Sequence, residues 1–189
     1  RTDRTRYLGA SSLLALTEPT FEQFAKIKLV KPFEQNLAKK KTALKQVKDG
    51  FENILRYEIG ETTAAATYYL AEMYFDFNRS LVESERPNDL VGAEKEQYEL
   101  ALEEQAYPFE EKAIEVHQKN TELVGLGVFN DWVEKSYAKL AKLVPARYAK
   151  FEESSGYIAT FDRAVAFDAL TKAIAPVVAS TSSAVITPA

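Results

Sequence analysis

The sequence contains no cysteine and a single histidine, His117, among its 189 residues. The absence of cysteine excludes disulfide bridges, thiolate metal sites and cysteine nucleophiles. Carboxylate-bridged di-metal bundles need two Glu-x-x-His motifs, whereas the residue three positions before His117 is Ile114. We therefore predict that His117 is an ordinary residue of a helix face and that the protein uses no cofactor and no metal.

Catalytic motifs are also lacking. The seven glycines are scattered singly, without the spacing of a phosphate-binding loop or a serine nucleophile elbow. The acidic pairs Glu103-Glu104 and Glu110-Glu111 occupy adjacent helical positions, which point in different directions, and are predicted to be solvated. We predict that the protein is not an enzyme. The alternative, an unfamiliar carboxylate site, requires a deep pocket holding an acid with a strongly perturbed pKa.

No apolar run approaches the roughly 20 residues that span a bilayer, since the stretch Leu13-Leu14-Ala15-Leu16 is far too short. The sequence therefore predicts no integral membrane segment. Because the chain begins with Arg1 and not with Met, we expect it to be a processed product or a piece of a longer protein.

Basic residues are outnumbered by acidic ones, 24 Lys and Arg against 28 Asp and Glu, giving a formal net charge of -4. Proteins that bind nucleic acid neutralise phosphates with a basic surface. We therefore predict no nucleic-acid partner.

Long stretches rich in Ala, Leu, Glu and Lys are typical of helices. In 33–58, apolar residues recur at helical spacing, and Gly60 is predicted to end this amphipathic helix. The next helix is predicted over 62–84, with Thr62 or Thr63 as its N-cap. Apolar residues occupy several of its faces, which indicates a central helix with neighbours on more than one side.

A third helix is predicted from Glu94, and Pro108 either kinks it or separates two helices. Asn130 or Asp131 is predicted to cap a fourth helix that Pro145 ends. These elements predict a helical domain over 1–150. For 151–189 we predict a weakly helical segment followed by a flexible tail, because the periodicity fades there.

The predicted fold is all-α, with antiparallel helix pairs. The pattern Leu70-Ala71-x-x-Tyr74 resembles the first-helix signature of tetratricopeptide repeats (TPR), with Ala71 replacing the usual Gly. The segment 109–116 looks like the second helix of such a repeat, and Trp132 falls close to the aromatic position of the next one. The resemblance implies a TPR-like helical-repeat array. The alternative is an irregular helical bundle.

Three segments, 68–75, 104–111 and 143–148, also look like large repeat-containing bacterial envelope proteins associated with energised transport or gliding machinery. This resemblance implies a periplasmic or cell-envelope location for a part of a larger transport or motility assembly. A cytoplasmic location is the alternative.

Helical-repeat arrays present an extended surface to other proteins. The resemblance therefore implies a scaffold for protein–protein interaction, with a protein or peptide partner. The repeat alignment aims Tyr68, Glu72 and Phe75 at the binding surface.

The alternative function is a structural or membrane-apposed bundle. It is based on Lys39-Lys40-Lys41, which with Lys45 and Lys48 would form a basic strip on an amphipathic helix and contact anionic lipid. Most such strips are ordinary solvated faces.

Overall fold

The computed structural model describes residues 2–87 and 91–150, in which all the regular secondary structure is helical and no strand occurs. This confirms the all-α prediction. The chain divides into two units, Arg1–Ala149 and Lys150–Ala189. The helices are α1 (Asp3–Lys26), α2 (Phe33–Leu55), α3 (Gly60–Val82), α4 (Ala93–Glu122), a 3-10 helix (Leu123–Leu126), α5 (Asp131–Leu143) and α6 (Pro145–Tyr148). The segment predicted over 151–189 lies outside the described residues.

Consecutive helices from α1 to α5 pack against each other in antiparallel directions. Contacts between residues far apart in sequence fix these directions, since the start of each helix meets the end of the next. The contacts are Arg6 with Tyr57 and Lys40 with Phe24; Phe51 with Tyr69 and Lys40 with Asp76; Phe77 with Phe109 and Tyr68 with His117; and His117 with Ser136 and Asn120 with Trp132.

The central helix is α3, which contacts α1, α2, α4 and α5. This confirms the expectation drawn from its apolar residues on several faces. A run of three alanines at 64–66 is fully buried and lets neighbouring helices approach closely, while Met73 and Phe77 fill the space further along. Because consecutive helices are antiparallel, α1, α3 and α5 run parallel to one another, and α3 contacts both of the others.

The core is apolar and continuous from α1 to α4. Fully burying a Val, Leu, Ile, Phe or Met side chain contributes about 1.5–3 kcal/mol, which makes the core the main source of stability. Its largest members with almost no exposure are Phe24, Val47, Phe51, Ile54, Met73 and Phe77.

The predicted role of Gly60 is wrong, because Gly60 begins α3 and α2 already ends at Leu55. A Cβ added at Gly60 would stand 2.8 Å from Cγ2 of Val128. The lack of a side chain therefore serves a close approach between α3 and the segment before α5. The predicted threonine cap is also wrong: Ile59 holds the cap position, and the Thr62 hydroxyl donates to its carbonyl oxygen at 3.2 Å.

Two prolines and one cap settle the remaining boundaries. Pro108 lies within a single helix, so the alternative of two helices meeting there is wrong. Asn130 caps α5 as predicted, since its Oδ1 accepts the N–H groups of Trp132 and Val133 at 3.1 and 3.2 Å. Pro145 follows the end of α5 and opens the single turn of α6.

None of the described helices is long and apolar enough to cross a membrane.

Candidate functional site

The three residues predicted to bind a partner lie on one face of α3, and all are half-buried. Lys139 of α5 connects two of them: its Nζ lies 2.9 Å from both carboxylate oxygens of Glu72 and 4.3 Å from the ring centroid of Phe75. The third, Tyr68, has its ring centroid 5.5 Å from that of Trp132. The predicted residues therefore come together along the line where α3 meets α5.

A row of four aromatic side chains crosses three helices at this place. Phe21 of α1 is followed by Tyr69 and Tyr68 of α3 and by Trp132 of α5; we call these residues the aromatic row. The ring centroids of Phe21 and Tyr69 are 5.2 Å apart, and those of Tyr69 and Trp132 are 5.1 Å apart. All four residues are half-buried, so each keeps part of its surface in contact with solvent.

Both tyrosines of the row pack against a fully buried ring, which for Tyr68 is that of His117, with ring centroids 5.6 Å apart. Tyr69 stacks on the fully buried ring of Phe51, with centroids 5.0 Å apart and planes 9° from parallel. Burial raises the pKa of Tyr69 to about 12, and the nearby Glu18 carboxylate adds to this effect. Burial, with a contribution from Glu72, also raises the pKa of Tyr68 to about 12. Both hydroxyls therefore stay protonated at neutral pH.

Opposite charges flank the row. On the α1 side, Glu18 accepts a hydrogen bond from the Tyr69 hydroxyl at 3.1 Å, and Glu22 is exposed close by. On the α5 side, Nζ of Lys135 lies 4.0 Å from the ring centroid of Trp132. Within the described part of the chain, neither Glu22 nor Lys135 forms an ion pair.

A chain of polar side chains, Glu72, His117, Ser136 and Asn120, joins α3, α4 and α5 beneath the row; we call it the polar cluster. Nε2 of His117 lies 3.3 Å from Oε1 of Glu72, off the line of a straight hydrogen bond. Nδ1 of His117 lies 3.2 Å from Oγ of Ser136, which accepts a hydrogen bond from Asn120 at 2.8 Å. Because a carboxylate can only accept, Nε2 is the nitrogen that presents a hydrogen to Glu72.

The carboxyl of Glu72 is held as an anion. Burial alone would raise its pKa, but the polar N–H groups and charges of the neighbouring His117 and Lys139 act in the opposite direction and prevail, so the pKa is lowered. Glu72 therefore joins α3 to both α4 and α5 as a charged acceptor.

The order of acid, imidazole and hydroxyl in the polar cluster is that of a hydrolase triad, which the sequence did not predict. However, the side chains of His117 and Ser136 are fully buried between three helices. A substrate carbonyl cannot approach Oγ of Ser136 in this arrangement. The geometry therefore supports a role for the cluster in holding α4 and α5 against α3.

The predicted basic strip on α2 is wrong at Lys40, which is fully buried. Its Nζ lies 2.8 Å from Oδ2 of Asp76 and donates to the carbonyl oxygens of Ile27 and Phe24 at 2.9 and 3.4 Å. Lys40 therefore ties α2 to α3 and to the end of α1. This removes the middle lysine from the surface proposed to contact lipid.

Comparisons with known proteins add no assignment, since no family model, curated protein or solved structure matches the chain. Among residues 2–87 and 91–150, no group of three or more metal-ligating side chains could hold a metal ion. The aromatic row and its charged flanks are therefore the features on which a function can be argued.

Proposed function

We propose that this protein is a non-catalytic scaffold that binds a peptide or protein segment across the face formed by α1, α3 and α5. The observation that carries this proposal is the aromatic row. Half-buried aromatic residues held by buried neighbours provide contact area at a low cost in side-chain entropy, and aromatic residues dominate the energetics of binding surfaces. The proposed occupant is a segment that lays a large apolar side chain on the row.

The proposed repeat character is supported by the packing of alternate helices. Repeat arrays place every second helix side by side, as α1, α3 and α5 are here. These helices begin at Asp3, Gly60 and Asp131, intervals much longer than the roughly 34 residues of a tetratricopeptide repeat. We therefore propose a TPR-like array with lengthened helices.

The proposed location is the periplasm or cell envelope, as part of a larger assembly. It is supported by the resemblance of 68–75, 104–111 and 143–148 to bacterial envelope proteins. Recovery of the protein with the periplasmic fraction of its source cells is expected, and recovery with the cytoplasmic fraction would contradict the location. The membrane-apposed alternative has less support, because Lys40 is buried.

The binding test uses the only tryptophan of the sequence, Trp132, which belongs to the row. A random library of twelve-residue peptides without tryptophan is panned over the full chain, and selected peptides are synthesised and titrated against it. We expect a saturable change in Trp132 emission and less quenching by acrylamide, with dissociation constants in the micromolar range.

The emission of Trp132 makes the result specific for this face of the protein. Peptides that bind without changing the emission would show that another surface is used. A Trp132→Phe variant, checked for an unchanged melting temperature, serves as the matched control: the emission signal disappears while binding, followed by calorimetry, weakens. If the selection yields no peptide that binds at the row, the proposal is refuted.

A further inference from the structure

On the basis of the proposed function, we infer that the aromatic row selects its partner by the order of the acidic and basic residues along the bound segment. The partner places a large apolar side chain on the rings, an acidic side chain at the α5 end of the row and a basic side chain at the α1 end. The row thereby selects one direction of the bound segment.

The α1 end of the row is acidic. Glu18 is half-buried and engages the Tyr69 hydroxyl, whereas Glu22 is exposed one turn further along the same helix. Since Glu22 has no ion-pair partner among the described residues, its charge is left for a basic group that arrives with the ligand. A Lys or Arg next to Phe21 would meet both carboxylates.

The α5 end of the row is basic. Lys139 is paired with Glu72. Lys135, in contrast, is an exposed residue that places its Nζ over the Trp132 ring and forms no ion pair in the described part of the chain. An acidic side chain of the partner can therefore pair with Lys135 while a neighbouring apolar side chain contacts Trp132. A reversed segment would bring like charges together at both ends, which disfavours that direction.

The size of the row sets the spacing. The two ring-to-ring steps of 5.2 and 5.1 Å place Phe21 and Trp132 within about 10 Å of each other. An extended peptide advances roughly 3.3 Å per residue. Successive side chains of an extended peptide point to opposite faces, so the acidic and basic side chains of the partner should stand four residues apart, with the apolar side chain two residues from each.

The test compares matched peptides and matched proteins. One peptide is chosen from the tryptophan-free selection, and a second exchanges its acidic and basic positions. The full chain is tested as the wild type, as Glu22→Lys, as Lys135→Glu and as the variant carrying both changes. Lys45→Glu and Glu96→Lys, at exposed positions of α2 and α4, are the charge-matched controls.

We expect each single reversal at the row to weaken the selected peptide about threefold to fivefold, the range of an exposed ion pair. The double variant should prefer the exchanged peptide, and the controls should bind like the wild type. Peptides that perturb Trp132 but show no charge preference would overturn this inference and leave the proposed function standing. If no peptide perturbs Trp132, both are overturned.

Discussion

The ammonium group of Lys40 lies 2.8 Å from the Asp76 carboxylate, in a place where Lys40 is fully buried and Asp76 nearly so. Arg79 binds the other oxygen of the same carboxylate at 2.5 Å. Breaking a buried ion pair leaves a charge without its partner, which typically costs about 3–5 kcal/mol.

The Lys40→Met variant should therefore be strongly destabilised, by about 3 kcal/mol, because the methionine keeps the length of the side chain but removes its donors to Asp76, Ile27 and Phe24. Urea unfolding followed by circular dichroism measures the loss. Lys39→Met and Lys41→Met are the matched controls, since both lysines are exposed, and should stay within about 0.5 kcal/mol of the wild type. Equal stability of all three variants would contradict the assigned role.

Glu72→Gln should lower stability by about 1–2 kcal/mol at pH 7, because the charged acceptor for His117 and Lys139 is lost. The folded-state pKa of Glu72 is lowered from an ordinary value of 4.5. Its contribution is therefore fully present above that value and is lost as the pH falls through the folded-state pKa.

The stabilities of the wild type and Glu72→Gln should thus converge in acid, which urea unfolding at several pH values measures. Glu104→Gln, which removes an exposed carboxylate of α4, provides a control for general effects of charge. A difference that stays constant below pH 4.5 would show that the Glu72 charge is not the cause.

Ser136 should not react with a fluorophosphonate probe in the folded protein, because its hydroxyl is buried between α4 and α5 and is held by His117 and Asn120. Intact-mass measurement after incubation checks this, with a serine hydrolase as the positive control. Labelling of Ser136 that disappears in Ser136→Ala would instead indicate an accessible nucleophile and contradict the non-catalytic proposal.

Asn130→Ala should destabilise the protein by about 1 kcal/mol, because two N–H groups at the start of α5 lose their acceptor. Since Trp132 stands in this first turn, its emission should shift to longer wavelength as the turn frays. Asn130→Asp retains an acceptor and should behave like the wild type in both measurements. A similar loss in both variants would mean that the cap itself is not responsible.

Sequence periodicity was sufficient to predict α2 and the central position of α3, and residue type limited the cap of α5 to Asn130 or Asp131. It did not predict α1, because the apolar residues of that helix are interspersed with Ser, Thr and Pro19, and the pattern is weak. Gly60 was misassigned because a glycine after an apolar stripe usually marks a helix end. The close approach of Val128 is what requires a glycine at position 60, and that contact depends on tertiary packing.

The site was predictable in part. Tyr68, Glu72 and Phe75 share a face of α3, as helical spacing requires, but their neighbours on α4 and α5 depend on how those helices dock. The burial of Lys40 was indicated by its position in the sequence, because it stands in helical register with the apolar stripe that contains Leu37, Leu44 and Val47. A charged residue in such a register indicates a buried partner on another helix.

Because α3 packs on both helices before it and both helices after it, it belongs to two three-helix groups at once. If the chain is cut between α3 and α4, the first fragment keeps a complete group, whereas α4 and α5 lose the surface on which they dock. The second fragment should therefore be unstructured alone and should fold when mixed with the first. In such fragment complementation, the emission of Trp132 would depend on the association of the two fragments and would therefore measure helix docking.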